Sequence, residues 1–214
     1  MNKELDVYEL ASYALRKAEK LSSSFKCVEL YFGKSKYINI EVEENSVKNS
    51  EMGEDYGMST RAIDGRGSLG FSYTNDLDKN SIEKIVSDAL KMMKYGTGDP
   101  DFNNLPGSFD TYPNIGGLYD RKQKIIDIED SLSYVNQLIK ICDNDELAIS
   151  QTADFVSNYY EKYIFNSNGL EASGKSTACS ISSNIIVKDK TTKETSFGYE
   201  WQIERSLDTI NAQK

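Results

Sequence analysis

Apolar residues recur at three- and four-residue spacing from Val7 to Leu21, through Leu10, Ala11, Ala14, Leu15 and Ala18. That spacing lines one side of a helix, with Asp6 as its N-cap and Ser22-Ser23-Ser24 as its stop. The period then drops to two. Val28, Leu30 and Phe32 share one face of a strand over Cys27 to Phe32, and Gly33-Lys34-Ser35 reads as a turn. Residues 36–78 follow as three or four antiparallel strands handed to a helix. Ile38, Ile40 and Val42 alternate with Asn39, Glu41 and Glu43. Tyr56 to Ile63 alternates more weakly, as a strand covered on both faces does. Asp64-Gly65 is predicted to make a tight hairpin through positive φ. Leu69, Phe71 and Tyr73 return on alternate positions, and Thr74-Asn75-Asp76 ends the strand. The acidic run from Glu43 to Asp55 reads as a solvated hairpin end.

A second helix carries Ile82, Ile85, Val86, Ala89, Leu90 and Met93 at helical spacing. Asn80 or Ser81 is its predicted cap, and Gly96 is predicted to take the left-handed position past its end. Residues 97–120 lose all periodicity, and residues 96–120 hold all three prolines. This is a crossover loop between two halves, about 5–96 and about 121–214, within one N-terminal domain of 1–214. The second half opens with a helix from about Ile125 to Cys142. Strands then run over Ala153 to Ser157 and Tyr159 to Phe165. Asn168-Gly169 is the strongest hairpin signal in the chain. Thr177 to Lys188 is a long strand, Lys190 to Lys193 turns it, and Ser196 to Gln202 returns. A last helical pattern starts at Ile203, Leu207 and Ile210 and runs to Lys214 with no stop signal. A sequence cut inside an element is expected to continue in the native protein.

The fold class is therefore α+β, a mostly antiparallel sheet with flanking helices. Lys-Tyr-Ile opens the strands of both halves, and Gly-Phe-Ser-Tyr or Phe-Gly-Tyr closes them. Order and weak identity suggest an internal duplication, which different strand orders in the two halves would refute.

Composition removes more chemistry than it adds. The chain has no histidine, so imidazole acid–base steps, His-based triads and His zinc sites have no residue here. A net charge of −9 and a pI near 4.7 argue against direct nucleic-acid binding, which needs clustered Lys and Arg. No long apolar run exists to span a membrane, and no apolar signal core opens the chain, so a cytoplasmic protein is expected. Cys27, Cys142 and Cys179 lack metal-ligand spacing and read as small buried hydrophobes. Gly174-Lys175-Ser176 resembles the end of a phosphate-binding loop, but sits between strand patterns rather than between strand and helix. Glu41, Glu43, Glu54 and Asp55 are close enough in sequence for paired acid–base work, yet they read as a solvated face. No residue is assigned a catalytic, cofactor-binding or metal-binding role.

Five segments carry a family resemblance: Val28-Glu29-Leu30, Tyr56 to Ile63, Gly70 to Leu77, Phe165 to Gly169 and Ser176 to Ser180. Over about Leu5 to Ile210 the chain resembles the N-terminal region of the TldD/PmbA family, long labelled modulators of DNA gyrase. The second-half segments are closer to its PmbA (TldE) branch. The resemblance implies an N-terminal, non-catalytic part of a longer protein. TldD-like members are zinc metalloproteases whose His-Glu-x-x-x-His helix and cysteine ligand lie downstream. PmbA-like members lack that helix and pair with a TldD-like subunit to process or degrade unfolded peptides. Zinc would then belong to the catalytic partner or a downstream domain, and the partners would be a TldD-like subunit and unfolded peptide. Placement on a catalytic TldD-like subunit, or a protein-binding regulator without protease activity, are the alternatives. The sheet's edges suit either peptide or subunit pairing.

Overall fold

The computed structural model describes residues 6–44, 46–142 and 145–212. The side chain of Cys142, and Lys214 where the helical pattern was followed to the chain end, lie outside the described residues. The element order is α1 (Val7–Leu21), β1 (Phe25–Glu43), β2 (Ser46–Asp64), β3 (Leu69–Thr74), α2 (Lys79–Tyr95), α3 (Arg121–Ile125), α4 (Ile128–Cys142), β4 (Ala148–Asn166), β5 (Glu171–Lys188), β6 (Thr195–Glu204) and a 3₁₀ turn at Leu207–Thr209. The class is the expected α+β: one antiparallel sheet in the order β3-β2-β1-β4-β5-β6 with helices beside it. Each half contributes its strands in the same consecutive order, so the test set for the duplication does not refute it. No helix among the described residues is long and apolar enough to cross a membrane.

The strands are longer than expected. Gly33-Lys34-Ser35 is not a turn, because β1 runs through it. The reason lies in parity. Val28, Leu30 and Phe32 are buried at even positions, and so are Ile38, Ile40 and Val42. A turn would have broken that shared register; an uninterrupted strand keeps it. Likewise the acidic run from Glu43 to Asp55 is strand from Ser46 onward. Backbone pairing holds it with no buried apolar side chain, since Val47 and Met52 are both exposed. Lys48 bridges Glu41 (3.2 Å) and Glu43 (2.9 Å), and the Tyr37 ring lies over Gly53, where an added Cβ would sit 2.6 Å from it.

The turns also differ in detail. In the β2–β3 hairpin the positive φ falls at Gly67 (78°), not at Asp64-Gly65. Asp64 N–H donates to Ser68 O, and Gly67 N–H donates to Asp64 O. The β4–β5 hairpin repeats this bond for bond: Asn166 N–H to Leu170 O, Gly169 N–H to Asn166 O, with Gly169 at φ 85°. Each is a three-residue loop closed by a left-handed glycine. In each, the first side chain accepts two backbone N–H groups, Arg66 and Ser68 on Asp64, Asn168 and Leu170 on Asn166. Burial would raise the Asp64 pKa, but those N–H groups and the Arg66 guanidinium outweigh it and hold the carboxyl below its usual value.

The helices depart from the sequence pattern at four points. Asp6 caps α1 as expected, but the α2 cap is Asp78, accepting from Asn80 N–H (2.8 Å) and Ser81 N–H (3.1 Å), not Asn80 or Ser81. Gly96 has φ −68° and is extended rather than left-handed. The helix expected from about Ile125 is two: short α3, capped by Asp120, and α4 from Ile128. After β6 only the 3₁₀ turn forms, so the expected final helix is absent among the described residues. Ile203 spends its place on β6, and only Leu207 of that pattern is buried.

The contacts divide into two compact units, one holding residues up to 34, 55–114 and 161–174, the other 35–54, 115–160 and 175 onward. In the first, the α1 alanines (Ala11, Ala14, Ala18) and the α2 stripe pack on Val28, Leu30, Phe32, Met58 and Ala62. Tyr13 and Lys17 of α1 both reach the Glu83 carboxylate of α2. Cys27, Ile63 and Leu105 make a smaller cluster under the crossover loop. In the second, Val135, Leu138 and Ile139 of α4 pack on Ile38, Ile40, Val42, Phe155 and Ile181. A polar joint closes this unit. Asp120 accepts from Ser206 Oγ and Leu207 N–H at 2.9 Å each, and buried Gln123 donates to Arg205 O at 2.8 Å. Burial pushes the Asp120 pKa up, yet the N–H groups of Lys122 and Leu207 and the Ser206 hydroxyl outweigh it and lower it.

Candidate functional site

The residues weighed for chemistry are not brought together. Glu41 and Glu43 share Lys48 across the β1–β2 hairpin, while Glu54 and Asp55 lie exposed further along β2. Gly169 to Ser176 has the spacing of a phosphate-binding loop, but Gly174, Lys175 and Ser176 are inside β5 and no helix follows. Cys27 and Cys179 are buried. Burial pushes the Cys179 thiol up to about 12, with the Asp120 and Glu204 carboxylates adding to it, so a thiolate nucleophile is not formed there at neutral pH. The donor set does not fit zinc. Imidazole is missing from the sequence, and no three His, Cys, Asp or Glu side chains cluster among the described residues.

What the fold does offer is two sheet edges. At β3 the register Arg61↔Phe71 and Ala62↔Gly70 turns Gly70 onto α2 and leaves Leu69, Phe71 and Tyr73 exposed on the other side. At β6 the register Ser182↔Trp201 and Ile181↔Gln202 puts Glu200, Gln202 and Glu204 on the α4 side, and Phe197, Tyr199, Trp201 and Ile203 on the open side. All four of the latter are exposed. The strand was legible in the sequence, but its exposure was not. The available signal was an aromatic or aliphatic residue at every odd position from 197 to 203, which marks an apolar face but not whether that face is covered. A hollow of about 200 Å³ lies beside β6, lined by Leu138, Ile181, Ser182, Trp201, Gln202 and Ala212.

Asp154 stands near this face and was also missed. Its carboxylate accepts from Ser182 Oγ at 3.2 Å. Burial raises its pKa, Glu41 adds to the rise, and Ser182 and Lys48 oppose it. The folded chain thus binds this proton more tightly than the unfolded chain does. Asp154 costs nothing below its unfolded pKa of about 3.9 and subtracts from stability as pH rises through the higher folded value. Asp154→Asn is therefore expected to raise the urea midpoint at pH 7 and to change it little at pH 3. A lower midpoint at pH 7 would contradict this.

Among the described residues the chain is a helix-flanked antiparallel sheet whose two edge strands carry exposed aromatic side chains. Residues 28–93 match the family profile of the PmbA/TldA metallopeptidase domain 1, and residues 121–213 that of the PmbA/TldA metallopeptidase central domain. The chain belongs to the TldD/PmbA family. Its fold is that of a candidate modulator of DNA gyrase from Bacteroides thetaiotaomicron VPI-5482, with a TM-score of 0.81 at 18% identity, covering 96% of this chain and 46% of that one. A candidate modulator of a DNA gyrase from Thermotoga maritima MSB8 aligns with a TM-score of 0.82 at 13% identity, over 97% of this chain and 45% of that one. TldE from Thermococcus kodakarensis aligns with a TM-score of 0.80 at 16% identity, over 95% and 45%. The chain thus spans a little under half the length of these solved structures. No curated protein sequence matches it.

Proposed function

We propose that this chain is the non-catalytic N-terminal domain, residues 1–214, of a PmbA/TldE-like subunit that works with a TldD-like zinc protease subunit to process unfolded peptides in the cytoplasm. Its two halves, 5–96 and 121–214, are joined by the 97–120 crossover. The match to domain 1 and to the central domain of a metallopeptidase family, in a chain with no histidine, carries this reading. The TldE neighbour supports the subunit type. The chain's part is to hold and present extended peptide or to pair with the protease subunit, since a sheet edge recognises either through main-chain hydrogen bonds. Zinc and the hydrolytic step belong to the partner.

The test combines metal analysis with reconstitution. The chain alone is expected to carry no stoichiometric zinc after dialysis and to leave a fluorogenic unfolded peptide uncut. Its full-length protein is expected to co-elute with a TldD-like subunit and to raise that subunit's peptide turnover. Stoichiometric zinc in the chain, or cleavage by it alone, would overturn the proposal. A second reading, a protein-binding regulator of gyrase, is favoured by the description of two structural neighbours. Retention on immobilised gyrase, but not on a TldD-like subunit, would select it.

A further inference from the structure

We propose that the free edge of β6 receives an added strand from a polypeptide that alternates aromatic or aliphatic residues with lysine or arginine. This rests on the peptide-handling reading for the source of the ligand, but the site stands on its own geometry. β6 is last in the sheet order and ten residues long. It contains no proline, lysine or arginine, the residues that usually keep an edge strand from pairing. Its open-side row is bare: Phe197 is 77% exposed, Tyr199 57%, Trp201 62% and Ile203 58%. Its other row carries Glu200 and Glu204, which make no ion pair among the described residues.

The spacing selects a strand as the occupant. Rings at alternate residues of a strand lie roughly 6.8 Å apart, the same repeat an incoming strand presents, so each ring meets one side chain. The charge selects its sequence. A residue beside Glu200 or Glu204 gains from being cationic, and one beside Tyr199 or Trp201 gains from being apolar. A second copy of β6 is the poorer occupant, because pairings that set Glu200 opposite Glu204 or itself place like charges together. The other edge, β3, has six residues, and its second row is Gly70, Ser72 and Thr74, with no charge to select a ligand.

Trp201 is the only tryptophan, so its emission reports this edge alone. The probes are a ten-residue peptide alternating valine or tyrosine with lysine, and a twin with glutamate for lysine. The lysine peptide is expected to shift Trp201 emission to the blue and to saturate, with the glutamate twin roughly tenfold weaker or worse. The double variant Glu200→Lys, Glu204→Lys is expected to reverse that order. Tyr199→Ser is expected to weaken the lysine peptide roughly tenfold. Far-UV circular dichroism checks that each variant folds, and Phe197→Ser, at the most exposed ring, repeats the test should Tyr199→Ser unfold. Equal binding of both peptides, an order unmoved by the charge reversal, or a dimer dissolved by Tyr199→Ser would each overturn the proposal, the last by making the occupant a second copy. Neither hydrolysis nor a protease partner enters the readout, so failure of the proposed function leaves this result intact.

Discussion

Gly70→Val is expected to destabilise the chain by more than about 3 kcal/mol, beyond the usual range for an overpacked site. The reason is what an added Cβ would meet. It would stand 1.9 Å from Ala89 O and 2.4 Å from Met93 N, both backbone atoms of α2. A flexible side chain can swing aside; a helix backbone cannot. α2 would have to retreat and loosen Ile82, Ile85, Val86, Ala89, Leu90 and Met93 together, all buried in the first unit. Gly65 provides the control. It lies in the adjoining turn, an added Cβ there meets nothing within 4 Å, and its φ is not positive. Gly65→Ala is expected to stay within about 0.5 kcal/mol of the native chain. Urea unfolding of both variants decides the matter. A Gly70→Val midpoint close to that of Gly65→Ala would mean that α2 and β3 can separate without loss.

The reading of α1, α2 and most strands from spacing alone succeeded because each buries one stripe or one face. The six buried residues of α2 are the six the pattern named. Boundaries failed where backbone rather than side chains decides. Asp78 caps α2 by taking N–H groups two and three residues on, and three neighbouring polar residues look equally able to do so in the sequence. Gly33-Lys34-Ser35 has turn composition, yet β1 passes through because the residues on either side bury the same parity. That parity was present in the sequence and outranks composition.

The candidate site was less legible, and for a different reason. Nothing in Phe197, Tyr199, Trp201 and Ile203 distinguishes a half-buried strand from an exposed edge. Their exposure depends on the sheet order, which is a long-range property. Backbone bonds from Ser167 to Val28 O and from Glu44 to Gln151 O set β1 beside β4 in antiparallel register. With those two strands central, β3 and β6 fall at the ends. Absence of histidine, by contrast, was fully legible, and it removed more mechanisms than any structural feature does.

Phe155→Ala is expected to cost about 3–5 kcal/mol, the range for emptying an aromatic site in a packed core. Phe155 is fully buried on β4, and Tyr134 of α4 stacks on it at 4.8 Å with the rings 12° apart. Its core includes Ile40 of β1, Val135 of α4 and Ile181 of β5, so one side chain joins three strands to the helix. Val156, one position on, has only partial burial and points to the other face. Val156→Ala is expected to cost about 1 kcal/mol or less. The contrast tests the assignment of faces, since a strand slipped by one residue would exchange the two costs. It also bears on β6. The aromatic row lies on the open side because Ile181 turns toward the α4 core and pairs with Gln202, which leaves Ser182 and its partner Trp201 on the other side. Far-UV circular dichroism followed through urea unfolding measures both variants. Equal losses would place the core, and therefore the open face that β6 presents, on the wrong side of the sheet.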